Sequence, residues 1–442
     1  MRRVLLPLVL LLAGCAPAGA HADPSPATDP ARLAAELAAL HGRFRVEAIA
    51  ARRFTHAELW GALGPRVDGA AGMRREEVGR SAEGRPLWAV RHGSGPTRVL
   101  LWSQMHGNES TATMALADVL RFLAGSPGHP LARRIRERLT VVAVPMLNPD
   151  GAERFQRRNA LGIDVNRDAR ALATPEGRAL RELQRAFRPD FGFNLHDQDV
   201  RARVGASDRL AAIALLAPPL DEAGSTDETR DRARRVAAVV RGAVEPLVAG
   251  HVTRYDDTYN PRAFGDAMQR WGTSTVLIES GGWRDDPEKQ YLRRVNFVAL
   301  LAALDAIAGG EYAAADPAAY ESLPENGRHV NDLLVRGARV ALPGAQPFRA
   351  DLAVDYQDAP ARTGGRVVDV GDLAELAARD TLDATGLFLH PASAMLAGDA
   401  AGRGALATGA PAYFTLRRGP EPGSEPVWTV EGGAARRAGD RG

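Results

Sequence analysis

The 442-residue chain lacks much of what several classes of protein require. It has a single cysteine, Cys15, so the chain beyond it contains no disulfide and no catalytic thiol. Lys and Arg number 56 against 54 Asp and Glu, which predicts no electrostatic surface for nucleic acid. After the first residues, no run reaches the ~20 consecutive apolar residues of a transmembrane helix. The remaining composition, 45% hydrophobic and 25% charged, is that of a globular protein of two or three domains.

The N-terminal residues have the pattern of a targeting signal. A pair of arginines precedes the apolar run Val4–Leu12, which is too short to span a bilayer as a stable helix. The run leads into Leu-Ala-Gly-Cys, which resembles the lipobox of bacterial lipoproteins and ends at Cys15. We therefore predict a lipoprotein signal peptide over residues 1–15, membrane attachment through a lipid on Cys15, and a periplasmic or cell-surface location. The alternative is an ordinary secretory signal that is cut near Ala20.

Composition and hydrophobic patterning divide the rest of the chain. In the largest part, short apolar runs alternate with helical segments, which predicts an α/β sandwich with a largely parallel or mixed sheet. Nearer the C-terminus, Gly and Pro separate short strands, which predicts a small, mostly-β module. The predicted boundaries are 16–30 for a linker, 31–308 for the α/β domain, 309–330 for a second linker, 331–432 for the β module and 433–442 for a disordered tail.

Polar residues follow each of four buried strands that we predict in the α/β domain. Ligands of open α/β sheets bind beyond the carboxyl ends of the strands, so these residues are candidates for one shared site. His106 and Glu109 are three residues apart and can reach one ion together. The arginines of the second loop suit a carboxylate, because a guanidinium can bind it bidentately, although a surface loop with Asx turns is the alternative. The strands and the residues after them are 97–103 with His106 and Glu109, 139–146 with Arg157, Asn166 and Arg167, 191–195 with His196, and 274–278 with Glu279.

The order of these motifs resembles the carboxypeptidase A-type zinc metallocarboxypeptidase family, over a stretch from about Thr55 to Ile307. The resemblance implies a three-layer α/β/α sandwich with a mixed, largely parallel sheet. It also implies an enzyme that hydrolyses the C-terminal peptide bonds of peptides. The motifs that carry it are His-Gly-Asn-Glu at 106–109, Asn-Pro-Asp-Gly at 148–151, Asp-Val-Asn-Arg at 164–167, His196, Glu279 and the upstream segment 78–86.

The family's metal site can be transferred to this chain residue by residue. The resemblance implies that His106, Glu109 and His196 hold one zinc ion, in a set of two histidines and one carboxylate that leaves a position open for water. It implies that Glu279 is the general base, which takes a proton from that water and passes it to the leaving amine.

The resemblance also implies the residues that bind the substrate. Arg157 matches the arginine that polarises the scissile carbonyl, with Arg158 as a rival for this role. Asn166 and Arg167 match the pair that binds the terminal carboxylate of the peptide.

Two features depart from the family's pattern. The family's mobile tyrosine falls between Tyr255 and Tyr259, and we assign it to Tyr259, although both tyrosines could be packing residues. The residues after His196 are unusually polar, and we predict that Asp197 or Gln198 lines the cleft. We interpret the remaining histidines as surface or structural residues.

The C-terminal module has a weaker resemblance of its own. Its segments 332–340 and 381–391 resemble the small β-sandwich that flanks the barrel of amidohydrolases. The metal-binding His-x-His of those enzymes is absent after His390, and no barrel follows. We therefore interpret the module as non-catalytic, with a role in stability or in shaping access to the cleft.

Three alternative functions remain open at this point. Hydrolysis of cell-wall peptides is a variant of the same chemistry. A zinc deacylase of the aspartoacylase or succinylglutamate desuccinylase type shares the His-x-x-Glu and His site, but the Asn-Pro-Asp-Gly turn and the position of Arg157 favour the peptidase. A peptide-binding protein without catalysis is disfavoured, because the three ligands and Glu279 occur together.

Overall fold

The computed structural model describes residues 30–398 and 404–439. The lipoprotein signal predicted at 1–15, and residues 16–29 of the predicted linker, lie outside the described residues. Within the described ranges, no helix combines the length and the apolar character needed to cross a bilayer.

The described ranges contain ten α-helices and twenty β-strands. The helices are α1 Pro30–Phe44, α2 His56–Asp68, α3 Thr111–Gly125, α4 Pro130–Arg138, α5 Pro149–Glu153, α6 Pro175–Phe187, α7 Glu228–Val244, α8 Phe264–Arg270, α9 Gln290–Gly309 and α10 Ala318–Glu321. The strands up to the end of the α/β domain are β1 Met73–Arg80, β2 Pro86–His92, β3 Thr97–Ser103, β4 Leu139–Val144, β5 Phe191–Asp197, β6 Arg203–Val204, β7 Ile213–Leu216, β8 Val252–Arg254 and β9 Ser274–Ser280. The later strands are β10 Asn326–Gly327, β11 Asn331–Val340, β12 Phe348–Asp358, β13 Thr363–Gly371, β14 Ala378–Asp383, β15 Phe388–Pro391, β16 Leu396–Gly398, β17 Gly404–Leu406, β18 Tyr413–Arg417, β19 Pro426–Glu431 and β20 Ala434–Arg437.

A mixed sheet forms the centre of the α/β domain. Among the described residues it has eight strands in the order β1-β2-β4-β3-β5-β9-β7-β8. The pairs β4–β3, β3–β5, β5–β9 and β7–β8 are parallel, whereas β1–β2, β2–β4 and β9–β7 are antiparallel. The four strands predicted from the sequence are β3, β4, β5 and β9, which form its middle. Pro145 ends β4 two residues earlier than we predicted, because proline has no N–H for the ladder.

Helices cover both faces of this sheet, so the predicted three-layer sandwich is confirmed. One face packs on α1, α3, α4, α7 and α9 in the largest hydrophobic core. The opposite face packs on α6 and α8 in a second core. Side chains of β3 alternate between these cores: Val99 and Leu101 enter the first, while Leu100 and Trp102 enter the second.

The C-terminal part is a mostly-β module, as predicted. Its main sheet runs β13-β12-β11-β15-β18-β19-β20 among the described residues, with β14 paired to β11 in parallel. Two predicted boundaries differ from the structure. The segment predicted as a linker, 309–330, contains α10 and β10, and β10 pairs with β6 of the α/β domain. The tail predicted to be disordered from 433 is β20 as far as Arg437, because its backbone completes the ladder of β19.

A buried ion pair connects the helices that support the site. Asp118 on α3 and Arg293 on α9 are both fully buried and form two hydrogen bonds of 2.6 Å. His41 on α1 lies 3.0 Å from the same carboxylate, and Val46 donates its N–H to it. The remaining guanidinium N–H groups donate to two backbone carbonyls and to Oε1 of Gln290. The pair is therefore fully hydrogen-bonded, which a buried ion pair needs in order not to be destabilising.

We expect Asp118→Ala to destabilise the protein strongly, because it leaves the guanidinium of Arg293 buried without a counter-charge. The free energy of unfolding should fall by about 3–5 kcal/mol. Urea unfolding followed by circular dichroism measures this change. The control is Glu182→Ala, which breaks an exposed ion pair with Arg185 and should cost no more than about 1 kcal/mol. Equal losses in the two variants would contradict the role of the buried pair.

Candidate metal centre and substrate cleft

The loop between β3 and α3 carries the first two candidate ligands. Its conformation depends on close contact with the Asn-Pro-Asp-Gly turn: a Cβ atom on Gly107 would overlap the carbonyl carbon of Gly151. Asn148 fixes the turn, because its Oδ1 accepts from the N–H of Gly151 and its Nδ2 donates to the carbonyl of Met105. Gly107 is thus required by the close approach of the two backbones, whereas a Cβ atom on Gly151 would overlap the side chain of Asn148 and the carbonyl of Arg158.

The third candidate ligand and the candidate base lie on neighbouring strands. His196 near the end of β5 is the register partner of Glu279 near the end of β9. Since side chains of register partners point to the same side of a sheet, His196 and Glu279 face the same space. Both residues are buried.

His106, Glu109 and His196 converge on one point. One ligand atom from each lies within 4.8 Å of the other two. The Nδ1 atoms of His106 and His196 both lie 2.7 Å from the Glu109 carboxylate, one on each oxygen. All three side chains are buried. The structure therefore brings together the three residues that the sequence predicted as ligands.

Asp164 orients the first histidine, and sequence reasoning gave it no role. Its Oδ1 lies 3.0 Å from Nε2 of His106, which leaves Nδ1 directed at the candidate ion site. A carboxylate behind a ligating histidine fixes the orientation of the ring and raises its basicity. The signal was present in the sequence, because Asp164 is the first residue of the Asp-Val-Asn-Arg motif.

The chemistry of these side chains fits a divalent cation. Two imidazoles and one carboxylate are the protein ligands of many catalytic zinc sites, in which a fourth position stays open. The two histidines outweigh the effect of burial on Glu109 and hold the pKa of its carboxyl below the usual range. Oε2 of Glu279 is buried and has no hydrogen-bond partner among the described residues. A polar atom of this kind, next to three converging ligand atoms, indicates a place for a further polar group.

Burial raises the pKa of Glu279 well above its ordinary value, and the nearby carboxylates of Glu109 and Asp197 raise it further. Burial likewise raises the pKa of Asp197 to about 6. A carboxyl with a raised pKa accepts a proton readily, which suits a general base.

The arginines of the second loop differ in their position. Arg157 lies at the candidate ion site, where its Nη1 is 3.1 Å from Oε1 of Glu109 and its Nη2 is 3.0 Å from Asp164. Arg158 instead donates to the carbonyl of Gly162 and is exposed. The structure thus brings Arg157, and not its rival Arg158, next to the candidate ligands.

A cavity of about 600 Å³ opens beside the ligands and collects the other predicted residues. Asn166 and Arg167 lie on its wall; Oδ1 of Asn166 accepts from the N–H of Phe264, so the amide is fixed. Asp197 and Gln198 also line the cavity, as predicted.

Both candidate tyrosines line the same cavity. Tyr259 accepts a hydrogen bond of 2.8 Å from Arg270. Tyr255 is coupled electrostatically to the candidate base: the charge of Glu279, together with burial, raises the pKa of the Tyr255 hydroxyl to about 12.

Two further residues of this cavity were not assigned to the site from the sequence. Asp266 on α8 is buried in the wall, and burial raises its pKa to about 6. His329, which we had grouped with the surface and structural histidines, also lines the cavity.

The fold and the site together define a class: an α/β sandwich with a metal site of two histidines and one carboxylate at the carboxyl ends of its middle strands. Residues 71–201 match the family model described as zinc carboxypeptidase. Residues 71–201 thus match the zinc carboxypeptidase family, and the resemblance predicted from the sequence is confirmed over this part of the chain.

Comparison with individual proteins gives partial matches. The chain is 33% identical to carboxypeptidase 2 of Trichophyton rubrum over 100 residues, which are 23% of this chain and 18% of that protein. It is 32% identical over 102 residues to cytosolic carboxypeptidase 6 of Mus musculus, covering 21% and 18% of the two chains. The chain thus spans about a fifth of the length of these relatives. A metallo-carboxypeptidase structure from Burkholderia cenocepacia aligns with a TM-score of 0.46 at 22% identity, over 57% of this chain and 68% of that one.

We expect Asp164→Asn to weaken metal binding while the three ligands stay in place. The affinity for Zn²⁺ should fall about 10- to 100-fold, because the ring of His106 loses the carboxylate that orients it. Competition with a chromogenic chelator measures the affinity. His196→Ala should abolish stoichiometric binding, whereas His329→Gln, a histidine of the same cavity, should bind as the parent does. Unchanged affinity in Asp164→Asn would contradict the orienting role.

Proposed function

We propose that this chain is a zinc-dependent metallocarboxypeptidase, which removes C-terminal residues from peptides outside the cytoplasm. The observation that carries the proposal is the buried carboxylate of Glu279 beside the converging His106, Glu109 and His196. The cavity adjoining these residues supplies two arginines, Arg157 and Arg167, for the negative charges of a peptide substrate and its transition state.

One Zn²⁺ ion bound by His106, Glu109 and His196 would act as a Lewis acid and would lower the pKa of water. Glu279 takes up the proton of the attacking water and delivers it to the leaving amine. Its burial and its two carboxylate neighbours support this role, because they favour the protonated form that must donate to the amine. Arg157 holds the carbonyl oxygen as negative charge develops on it.

Exopeptidase specificity requires a group that binds the free C-terminal carboxylate. Arg167 on the wall of the cavity supplies a guanidinium, and Asn166 beside it supplies a fixed amide. The cavity volume of about 600 Å³ is that of a site for a small ligand or a single side chain with its terminus. We assign Tyr255 and Tyr259 a position over the bound C-terminus of the peptide.

The location of the protein is part of this proposal. The charged start, the short apolar run and the Leu-Ala-Gly-Cys sequence support export and a lipid on Cys15. Labelling with a fatty-acid analogue would detect the lipid, and Cys15→Ala should abolish the label. Labelling that persists in this variant would contradict the assignment.

We expect Glu279→Gln to retain zinc and to lose nearly all peptidase activity. The loss in kcat should be about 10²–10⁴-fold, because the amide cannot take up the proton. The measurement combines metal analysis with release of C-terminal residues from a mixed peptide library, read by mass spectrometry. The control is Glu137→Gln, at an exposed position on α4. A variant as active as the parent would show that the proposed mechanism is wrong.

We expect Arg167→Gln to weaken the binding of substrates with a free C-terminal carboxylate. The loss of a charge-assisted hydrogen bond is worth about 1.5–3 kcal/mol, which raises KM roughly 10- to 100-fold. The parent should hydrolyse a free acid far better than the matching C-terminal amide, and the variant should lose much of this discrimination. Arg170→Gln, at an exposed arginine nearby, is the control. Discrimination that persists in Arg167→Gln would exclude this residue as the carboxylate site.

A further inference from the structure

A second cavity lies on the other side of the candidate ligands. It has a volume of about 470 Å³ and shares five lining residues with the cavity described above. The shared residues are Glu109, Arg157, Asp197, Gln198 and Asp199. The two cavities therefore adjoin each other at Glu109, one of the candidate ligands, and we refer to them together as the groove.

The β module forms one wall of this second cavity. The last residues of β12 and the turn they lead into, residues 357–360, line it together with Arg52, Arg53 and Phe155 of the α/β domain. The turn is held in place by Asp358, which forms ion pairs with Arg52 and, at 3.6 Å, with Arg53.

The module also holds the segment that follows the ligand His196. Arg201 pairs with Asp199 at 3.0 Å and reaches Asp332 and Asp355 of the module at 3.5 and 3.4 Å. Val200 packs against Tyr356 and Ala359. The segment between His196 and β6 is thus fixed by the module, and its position is coupled to that of the metal centre.

The direction of a bound peptide follows from these positions. Arg167 and Asn166, which would hold the terminal carboxylate, line the first cavity and not the second. The scissile bond must lie over the metal centre, where the cavities meet. The part of the peptide before that bond then continues into the second cavity.

We propose that the second cavity is the subsite for the residues on the amino-terminal side of the scissile bond, and that the β module supplies its outer wall. This inference rests on the proposed carboxypeptidase function. It gives the module a direct part in substrate binding, through Gln357 and the turn that begins there.

The charges of this subsite favour an acidic substrate residue. Asp358 is shared between Arg52 and Arg53, so its single charge cannot neutralise both guanidinium groups. Arg53 is exposed, with its guanidinium 4.5 Å from the ring centre of Phe155. A carboxylate side chain before the scissile bond can pair with Arg53, whereas a lysine side chain is repelled.

The test is a ladder of N-acetylated substrates with two, three and four residues and one common C-terminal residue. In the parent, kcat/KM should rise about tenfold along the ladder, as the subsite fills. Gln357→Trp places an indole in the subsite, and the rise should largely disappear. Gln346→Trp makes the same substitution in the exposed β11–β12 loop, at the other end of the hairpin, and should keep the rise.

The charge is tested with tetrapeptides that carry Glu or Lys two residues before the scissile bond. The parent should prefer Glu a few-fold, since an exposed ion pair is worth at most about 1 kcal/mol, and Arg53→Gln should lose this preference. A length dependence that persists in Gln357→Trp, or that disappears equally in Gln346→Trp, would overturn the proposal. So would a preference for Glu that is unchanged in Arg53→Gln.

A binding measurement distinguishes failure of the proposed function from failure of the subsite. If the zinc-loaded parent hydrolyses no peptide, calorimetric titration of the same ladder into Glu279→Gln tests the subsite alone. Affinity that rises with length, and that Gln357→Trp reduces, would support the subsite in a protein that binds peptides without cleaving them. Absence of this length dependence would overturn it.

Discussion

The parallel pairing of β3, β5 and β9 is the constraint on which the site depends. These strands are adjacent, and their carboxyl ends meet at one edge of the sheet. His106 and Glu109 follow β3, while His196 and Glu279 are register partners on β5 and β9. A shift of one residue between β5 and β9 would turn one of these two side chains to the opposite face. The hydrophobic cores on both faces of the sheet prevent such a shift, since it would also bring buried side chains to the wrong face.

The same arrangement creates an electrostatic problem that a cation would solve. Glu109, Asp197 and Glu279 are carboxylates close to one another in a buried environment, where burial and mutual repulsion both disfavour ionisation. Glu109 faces the two histidines, which stabilise its charge. Glu279 has no hydrogen-bond partner for one oxygen in the part of the chain that the structure describes. The pKa of Glu109 is therefore lowered and that of Glu279 is raised, although both residues have the same side chain.

Much of this could be predicted from the sequence, because the information is local. The four central strands are continuous apolar runs, and the ligands come directly after them, so pattern and motif order sufficed for the sandwich and the metal site. The edge strands β1, β2, β7 and β8 were not predicted, because they are short or carry charged residues. Asp164 was missed because its contact with His106 depends on a distance across the fold. Sequence spacing placed the two tyrosines almost equally well and could not separate them.

The contacts of the β module with the α/β domain could not be predicted from local sequence patterns. Its strands were predicted from their own alternation, but its contacts with the α/β domain connect residues far apart in the sequence. Arg52 and Asp358 form an ion pair across 306 positions, and Arg201, in the segment that follows His196, forms ion pairs with Asp332 and Asp355 of the module. Each of these contacts holds either the turn that begins at Gln357 or the segment that follows His196. Both elements line the second cavity, and Val200 packs against Tyr356 and Ala359 between them, so a movement of the module would displace the segment that follows His196. The β module is for this reason part of the architecture around the candidate site, rather than an appendage to the α/β domain.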